Sequence, residues 1–299
     1  MNEALGLTGV RKSYKGFTLD VKDLSMERGY VMGLVGRNGA GKSTAIKILM
    51  NLIYPDCGEV RVLGLKQPEQ DMEIKRRVGY VSEEPVFYEE MTVGWMVRLV
   101  SRYYPTWDPA LYSGYLRKFS LDPHKKVKEL SRGMKVKLGL MLALSHRPEL
   151  LILDEPTSGV DPVVRHELLG EISDIIRDEK RTVLLSSHIT QDVEHVADYV
   201  AIIDEGSVIE FADKESLLDR WKRVTGTLAN SADSAGSDGG GGLSSLFKTV
   251  KMEGSAFAGI VRDFSDGWLS RLKALGAGNI KVMNVDLDQI LVALAKKEA

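Results

Sequence analysis

The hydrophobic positions of this chain switch between two periods along the sequence. Continuous apolar runs, such as YVMGLV at Tyr30 to Val35 and LLILDEP at Leu150 to Pro156, are typical of strands buried on both faces of a parallel sheet. Apolar residues spaced three and four apart, as in AIKILMNLI from Ala45 to Ile53, predict helices packed on that sheet. Because residues 1 to about 35 add short strands before the parallel core, the pattern predicts an α/β fold with a mixed sheet.

Two stretches interrupt this pattern. From Met91 to about Lys128 the spacing is helical, with PTWDP as a loop, which predicts a helical insert at about 91–128. The segment 230–245, NSADSAGSDGGGGLSS, has no basic or aromatic residue and is typical of a flexible loop. The strand and helix patterns beyond it predict a small α+β module. We therefore expect a core domain at 1–222 and a C-terminal module at 223–299, regulatory or dimerising rather than catalytic.

The composition narrows the class of protein. With 43% hydrophobic residues the chain can bury a substantial core, and its net charge of −2 gives no basic surface for nucleic acid, so we expect no nucleic-acid partner. The single cysteine, Cys57, excludes an intrachain disulfide and favours a reducing compartment. No signal-peptide pattern or membrane-spanning apolar run occurs, so we expect a chain that is soluble by itself.

A glycine-rich segment, GRNGAGKST at 36–44, carries the most specific chemistry. It fits G-x-x-x-x-G-K-[ST] and lies between a predicted strand and a predicted helix, so its backbone N–H groups should surround phosphate oxygens at a helix N-terminus. Lys42 should reach the β- and γ-phosphates, and Ser43 should place its hydroxyl on Mg²⁺. The expected nucleotide-binding residues of the loop are Gly36, Asn38, Gly39, Ala40, Gly41, Lys42, Ser43 and Thr44.

Polar residues end several other predicted strands. Asp154 follows LLIL and can hold Mg²⁺, while Glu155 beside it can polarise a water for attack. His188 ends the apolar run TVLLSSH, which predicts another buried strand. Glu83 follows the predicted strand VGYV, and it is a candidate site residue only if the end of that strand points at the phosphates. Tyr14, in a turn-prone stretch, could stack on a purine base or pack on the core, and its local pattern alone favours the core.

A second helix start offers another anion site. In LSRGMKVKLGLMLALSHRPE, Ser131 is the predicted N-cap, Gly133 lies in the first turn, and Pro148 ends the helix. The N–H groups at this end could bind an anion as the first loop does.

Together these motifs resemble the nucleotide-binding subunit of ATP-binding cassette (ABC) transporters, over residues from about 3 to 222. GRNGAGKST is similar to the phosphate loop of that family, LSRGM to its LSGGQ signature, and LLILDEP to its Walker B strand with the catalytic glutamate. SGVD, ending at Asp161, resembles the D-loop, and His188 the switch histidine. Tyr14 falls at the adenine-stacking aromatic, which reverses the preference for the core. LSRGMK is also similar to cassettes of small bacterial ABC-2 exporters.

The resemblance implies ATP and Mg²⁺ as cofactors, and a P-loop ABC ATPase whose hydrolysis powers export of peptides, antibiotics or amphipathic compounds. It implies a head-to-tail homodimer in which ATP lies between the phosphate loop of one copy and the signature of the second. The implied signature and D-loop contacts are Ser131, Gly133, Met134 and Asp161. The implied catalytic residues are Glu155, His188 and Lys42, and the implied metal ligands are Ser43, Glu83 and Asp154.

A separate polytopic permease would bind the helical insert and the segment from Glu83 to Tyr88. That partner would hold the chain on the inner face of the cell membrane. The sequence departs from the family where Glu83 replaces the usual glutamine, and where Arg132 and Met134 replace a glycine and a glutamine of the signature.

Three other classes of function remain as alternatives, namely a non-transport ABC ATPase, a GTPase or small-molecule kinase built on the same loop, and a regulatory binding protein. A non-transport ABC ATPase acting on DNA or ribosomes would usually carry long coiled coils or two cassettes, and this chain has neither pattern. A GTPase would normally show N-K-x-D, and a kinase would leave LSRGM and His188 unexplained. A purely regulatory binding protein would not need Glu155.

Overall fold

The computed structural model describes residues 2–179, 181–228 and 243–295. They form two compact units, Met1–Phe211 and Ala212–Ala299. The division after Phe211 comes earlier in the chain than the boundary at 222 predicted from the sequence. The hydrophobic pattern shows no break at this point, because the strand Ser207–Asp213 runs across the division. Most of the loop expected at 230–245 lies outside the described residues.

The first sheet has ten strands, most of them in the first unit. They are β1 (Glu3–Tyr14), β2 (Phe17–Glu27), β3 (Val31–Val35), β4 (Cys57–Val62), β5 (Leu65–Lys66), β6 (Val78–Val81), β7 (Leu150–Asp154), β8 (Thr182–Ser187), β9 (Tyr199–Asp204) and β10 (Ser207–Asp213). The helices of this unit are α1 (Lys42–Leu49), α2 (Asp71–Arg77), α3 (Val93–Ser101), α4 (Pro109–Lys118), α5 (Arg132–Leu144), α6 (Pro162–Glu179) and α7 (Thr190–Val196). No helix in the described ranges is both long and apolar enough to cross a bilayer.

The strand order is β5-β4-β1-β2-β10-β9-β3-β8-β7-β6. β3 pairs in parallel with β8 and β9, and β7 pairs in parallel with β6 and β8, whereas β1, β2, β4 and β5 form an antiparallel extension. The carboxyl ends of β3, β8 and β7 therefore lie side by side at one edge, where such sheets bind ligands. Because the central strands are buried on both faces, they consist of continuous apolar runs.

The helical insert predicted at about 91–128 contains α3 and α4. Thr92 caps α3 by accepting a hydrogen bond from the backbone N–H of Trp95 at 3.2 Å, and Asp108 caps α4 in the same way. The mixed α/β core with this insert agrees with the fold class predicted from the sequence.

The second unit is a small α+β module. It contains α8 (Lys214–Arg220), β11 (Lys222–Leu228), β12 (Thr249–Glu253), β13 (Ala256–Val261), α9 (Asp266–Ala274), β14 (Ala277–Asn284) and α10 (Leu287–Ala295). Its antiparallel sheet has the order β12-β13-β11-β14. Val224, Phe257 and Trp268 belong to a separate apolar core, and the indole N–H of Trp268 donates to the Leu246 carbonyl at 2.7 Å.

Candidate active site

The glycine-rich loop joins the end of β3 to the start of α1. At Gly36 an added Cβ would lie 2.3 Å from the carbonyl oxygen of Ile203, so that only glycine fits there. Gly41 has a φ of 114° at the N-cap of α1, a conformation that glycine adopts without strain. The sequence therefore forms a tight turn that places the N-terminus of α1 after the carboxyl end of β3, at the ligand edge of the sheet.

Lys42 and Glu155 form a buried ion pair across the gap between this loop and the end of β7. The Lys42 Nζ lies 3.0 Å from Glu155 Oε1, and the two side chains are only 5% and 4% exposed. The ammonium also donates to the carbonyl oxygen of Gly36 at 2.7 Å, which ties it to the loop. Glu155 Oε1 accepts no well-aligned hydrogen bond among the described residues, so it has capacity for a water or a ligand.

His188 holds the other oxygen of Glu155. Its Nδ1 lies 2.7 Å from Glu155 Oε2. The Glu155 backbone has a φ of 48°, an uncommon conformation for a residue with a side chain, and its N–H donates to Ser186 Oγ at 3.1 Å. Such strain persists only where surrounding contacts fix it, and it is frequent at active sites.

Asp154 lies beneath Ser43. Its Oδ1 accepts a hydrogen bond from Ser186 Oγ at 2.6 Å and from Ser43 Oγ at 3.3 Å. Burial raises the pKa of Asp154 above its ordinary value, and the nearby charge of Glu155 adds to this effect, while the two hydroxyl hydrogen bonds oppose it. A partly desolvated carboxylate next to a hydroxyl is a suitable pair of ligands for a hard cation.

A cavity of about 700 Å³ lies over these groups. Its volume is within the range of small-molecule sites. The predicted residues that line it are Asn38, Gly39, Gly41, Lys42, Ser43, Thr44, Glu83 and Glu155. Gly36, Asp154 and His188 are not part of the lining, but each contacts a lining residue, namely Lys42, Ser43 and Glu155 in turn.

The aromatic side chain that lines the cavity is Phe17, which the sequence pattern did not single out. The ring of Tyr14, the predicted stacking aromatic, is 47% exposed and lies outside the lining, with its centroid 6.5 Å from that of Phe17. An added Cβ on Gly41 would lie 3.0 Å from the Phe17 ring, so Phe17 packs directly on the glycine loop. The sequence signal that could have identified Phe17 is its position at the start of β2, directly after the Lys15–Gly16 turn.

The residues of LSRGM lie elsewhere on the same unit. Ser131 caps α5, its Oγ accepting from the backbone N–H of Met134 at 3.3 Å, as the sequence pattern predicts. Gly133 is buried against α6, where an added Cβ would lie 2.5 Å from Val164. None of Ser131, Gly133 and Met134 lines the cavity over the glycine loop.

The SGVD turn contacts both the cavity and the LSRGM segment, the latter through Gly159, which packs on the guanidinium of Arg132. Asp161 caps α6 by accepting from the backbone N–H groups of Val163 and Val164, each at 3.1 Å. Ser158 Oγ lies 3.5 Å from Glu83 Oε1. Glu83 therefore links the cavity to this turn.

A buried carboxylate that the motifs did not reveal braces the same turn. Asp192, fully buried on α7, accepts from Thr157 Oγ1 at 2.5 Å and from Arg165 Nε at 2.9 Å. Thr157 follows the Glu155–Pro156 pair, and α7 follows His188. Asp192 thus joins the two segments that carry Glu155 and His188.

Comparisons with known proteins agree with this geometry. A family model described as ABC transporter matches residues 19–158. The lantibiotic transport ATP-binding protein SrtF of Streptococcus pyogenes is 36% identical over 219 residues, which cover 71% of this chain and 93% of SrtF. The chain belongs to the family of ABC transporter ATP-binding proteins. The bacitracin transport ATP-binding protein BcrA of Bacillus licheniformis is 34% identical over 70% of each chain.

A solved ABC transporter ATP-binding subunit superimposes with a TM-score of 0.64 at 29% identity, covering 72% of this chain and 92% of that structure. As a member of the family, this ABC protein binds nucleotide, and it is an ATPase subunit that powers a membrane transporter. The predicted family, fold class and ATPase activity are confirmed, and the alternative of a non-transport ABC ATPase is not favoured.

Proposed function

We propose that this ABC ATPase hydrolyses MgATP at the Lys42–Glu155–His188 cluster to power export of peptide antibiotics or other amphipathic compounds. The class of exported compound rests on BcrA, a bacitracin transport protein, and SrtF, a lantibiotic transport protein. The single observation that carries the chemistry is the buried Glu155, held between Lys42 and His188 at the end of β7.

Glu155 is the proposed general base. Lys42 would turn from Glu155 towards the β- and γ-phosphates, and this movement would leave Glu155 Oε1 able to accept a proton from the attacking water. His188 would keep the carboxylate in place through Oε2. The positive charge of Lys42 would then stabilise the charge that develops on the phosphoryl group.

The residues present fit a Mg²⁺ ion. Asp154 supplies a buried carboxylate and Ser43 a hydroxyl 3.3 Å away, which suits a cation that binds through one or two carboxylates together with phosphate oxygens and waters. Mg²⁺ would neutralise phosphate charge during hydrolysis. Glu83, which is exposed and lines the cavity, would supply a further carboxylate to the cation.

The nucleotide site is completed by a second copy of the chain in this proposal. Ser131 is exposed at the start of α5 and lies outside the cavity lining, although its helix end suits an anion. Head-to-tail pairing would bring Ser131, Gly133 and Met134 of the second copy over the phosphates. Asp161 would lie at the contact between the two sites.

The permease would bind near the helical insert. A cavity of about 320 Å³ is lined by aromatic and apolar side chains between β6, α3 and α5, including Tyr80, Phe87 and Tyr104. Val86, which also lines it, is 94% exposed, and such an exposed apolar edge suits a protein partner. Binding there would keep the chain on the inner face of the cell membrane.

Exchange of Glu155 for glutamine tests this function. ATP turnover of Glu155→Gln should fall by about two to four orders of magnitude, since a glutamine cannot accept the proton, while nucleotide binding is retained. Glu84→Gln is the matched control, because Glu84 lies one residue beyond Glu83 and outside the cavity lining. Near-normal hydrolysis by Glu155→Gln would refute the assignment.

A further inference from the structure

The C-terminal unit contains a cavity of about 780 Å³ to which the proposed ATPase function gives no role. Strands β11, β12 and β13, the segment before β12, and α10 all contribute to its wall. Three basic side chains line it: Arg223, Lys248 and Lys251. Ser244, Ser245 and Thr249 add hydroxyl groups.

The strand registers place two of the cations on one face of the sheet. Arg223 is paired with Ile260, and Lys251 is paired with Ala258. Paired residues share a face, and so do residues two apart on one strand, so Arg223 and Lys251 project from the same side. The alternate positions, Val224 among them, form the face that is packed in the core of this unit.

Two of the three basic side chains of this cavity, Arg223 and Lys251, have no charged partner in the part of the chain that the structure describes. No carboxylate lines the cavity among the described residues, and Arg223 and Lys251, both exposed, form no ion pair with any described residue. Glu253 lies on the same face but outside the lining. A concave site in which the described lining carries unpaired positive charge on Arg223 and Lys251 and no carboxylate favours an anion.

The remaining wall is apolar. Ala258 and Ile260 contribute from the face of the sheet that carries Arg223 and Lys251, and Val292, whose side chain is 49% exposed, contributes from α10. Burying these groups against an apolar body would be favourable. The volume matches that of a drug-sized ligand rather than that of a lone inorganic ion.

We propose that this cavity binds a small anionic amphiphile, with a phosphate or carboxylate head on Arg223 and Lys251 and a short apolar body against Ile260 and Val292. Arg223 suits such a head because a guanidinium can donate two parallel hydrogen bonds to it. This site is separate from the nucleotide cavity and requires neither ATP nor the permease. It gives the C-terminal unit a ligand-binding function.

Isothermal titration of the full-length protein with decyl phosphate, below its micellar concentration, tests the proposal. Arg223→Gln/Lys251→Gln should weaken binding by about tenfold or more, since both charge-assisted contacts are lost. Val292→Trp, which fills the cavity and keeps both charges, should also weaken it. The matched control is Lys281→Gln, because Lys281 lies on the same face but outside the lining and should change the affinity by less than about twofold.

Further ligands separate the contribution of the charged head from that of the apolar body, and lipid vesicles show whether the ligand comes from a membrane. Inorganic phosphate and neutral octyl glucoside should each bind much more weakly than decyl phosphate. Sedimentation with phosphatidylglycerol vesicles, if abolished by Arg223→Gln/Lys251→Gln, identifies a lipid as the source, and decyl phosphate binding without sedimentation identifies a free ligand. The proposal is overturned if decyl phosphate does not bind, if octyl glucoside binds equally well, or if Lys281→Gln weakens binding as much as the double variant.

Discussion

His146 provides a quantitative test of how α5 and the helical insert pack. Its side chain is 1% exposed, and its ring stacks on Tyr104 with the centroids 3.9 Å apart. Its Nδ1 has no hydrogen-bond partner among the described residues. Burial, with a smaller contribution from the charge of Arg181, lowers the pKa of His146 to about 4.

The consequence for stability follows from proton linkage. The unfolded chain binds a proton at this imidazole below a pKa of 6.5, whereas the folded chain does so only below about 4. The free energy of unfolding is therefore not reduced by this group above about pH 6.5, and it falls as the pH is lowered towards 4. The full loss is about 3 kcal/mol, of which about 2 kcal/mol should be reached at pH 5.

The assay is urea unfolding of the wild type and His146→Phe between pH 7.5 and 5. Phenylalanine retains the stacking surface and removes the titration, so the stability of the wild type relative to the variant should fall by about 2 kcal/mol over this range. His124→Phe, at an exposed position, is the matched control and should show no such trend. A difference that stays constant within about 0.5 kcal/mol would mean that His146 titrates normally in the folded protein.

Two further predictions concern the carboxylates of the nucleotide site. Asp154→Asn should raise the Tm of the nucleotide-free protein at pH 7, because burial raises the Asp154 pKa and its ionisation therefore opposes folding. That gain should shrink as the pH falls towards 4, and a Tm unchanged or lowered at pH 7 would contradict the assigned burial cost. Glu83→Gln should strengthen ATP binding in EDTA by about twofold to fivefold, because it removes one like charge from the cavity wall. Fluorescence titration with a labelled nucleotide measures this change, with Glu84→Gln as control, and equal affinities would exclude an electrostatic role for Glu83.

The sequence predicts the centre of the site because the motifs end neighbouring parallel strands. The loop after β3, Glu155 after β7 and His188 after β8 come together at one sheet edge by the geometry of parallel pairing alone. The Ser131 N-cap follows from local chemistry within one helical turn, and the sequence therefore also identifies it.

Contacts made by tertiary packing are not visible in the pattern. Asp192 and Ser186 show no motif, and their roles depend on which side chains the folded chain brings to Thr157 and Asp154. Phe17 lines the cavity in place of Tyr14 because the turn between β1 and β2 decides which ring faces the glycine loop. Local spacing does not encode that choice.

The central claim is that each nucleotide site needs the glycine loop of one copy and the signature of another. Mixing Lys42→Ala with Ser131→Arg after purification tests it directly, because each variant alone lacks one half of every site. In the mixed dimer one site pairs an intact loop with an intact signature, so random pairing should restore roughly a quarter of wild-type ATP turnover. A mixture no more active than the separate variants would contradict the shared site.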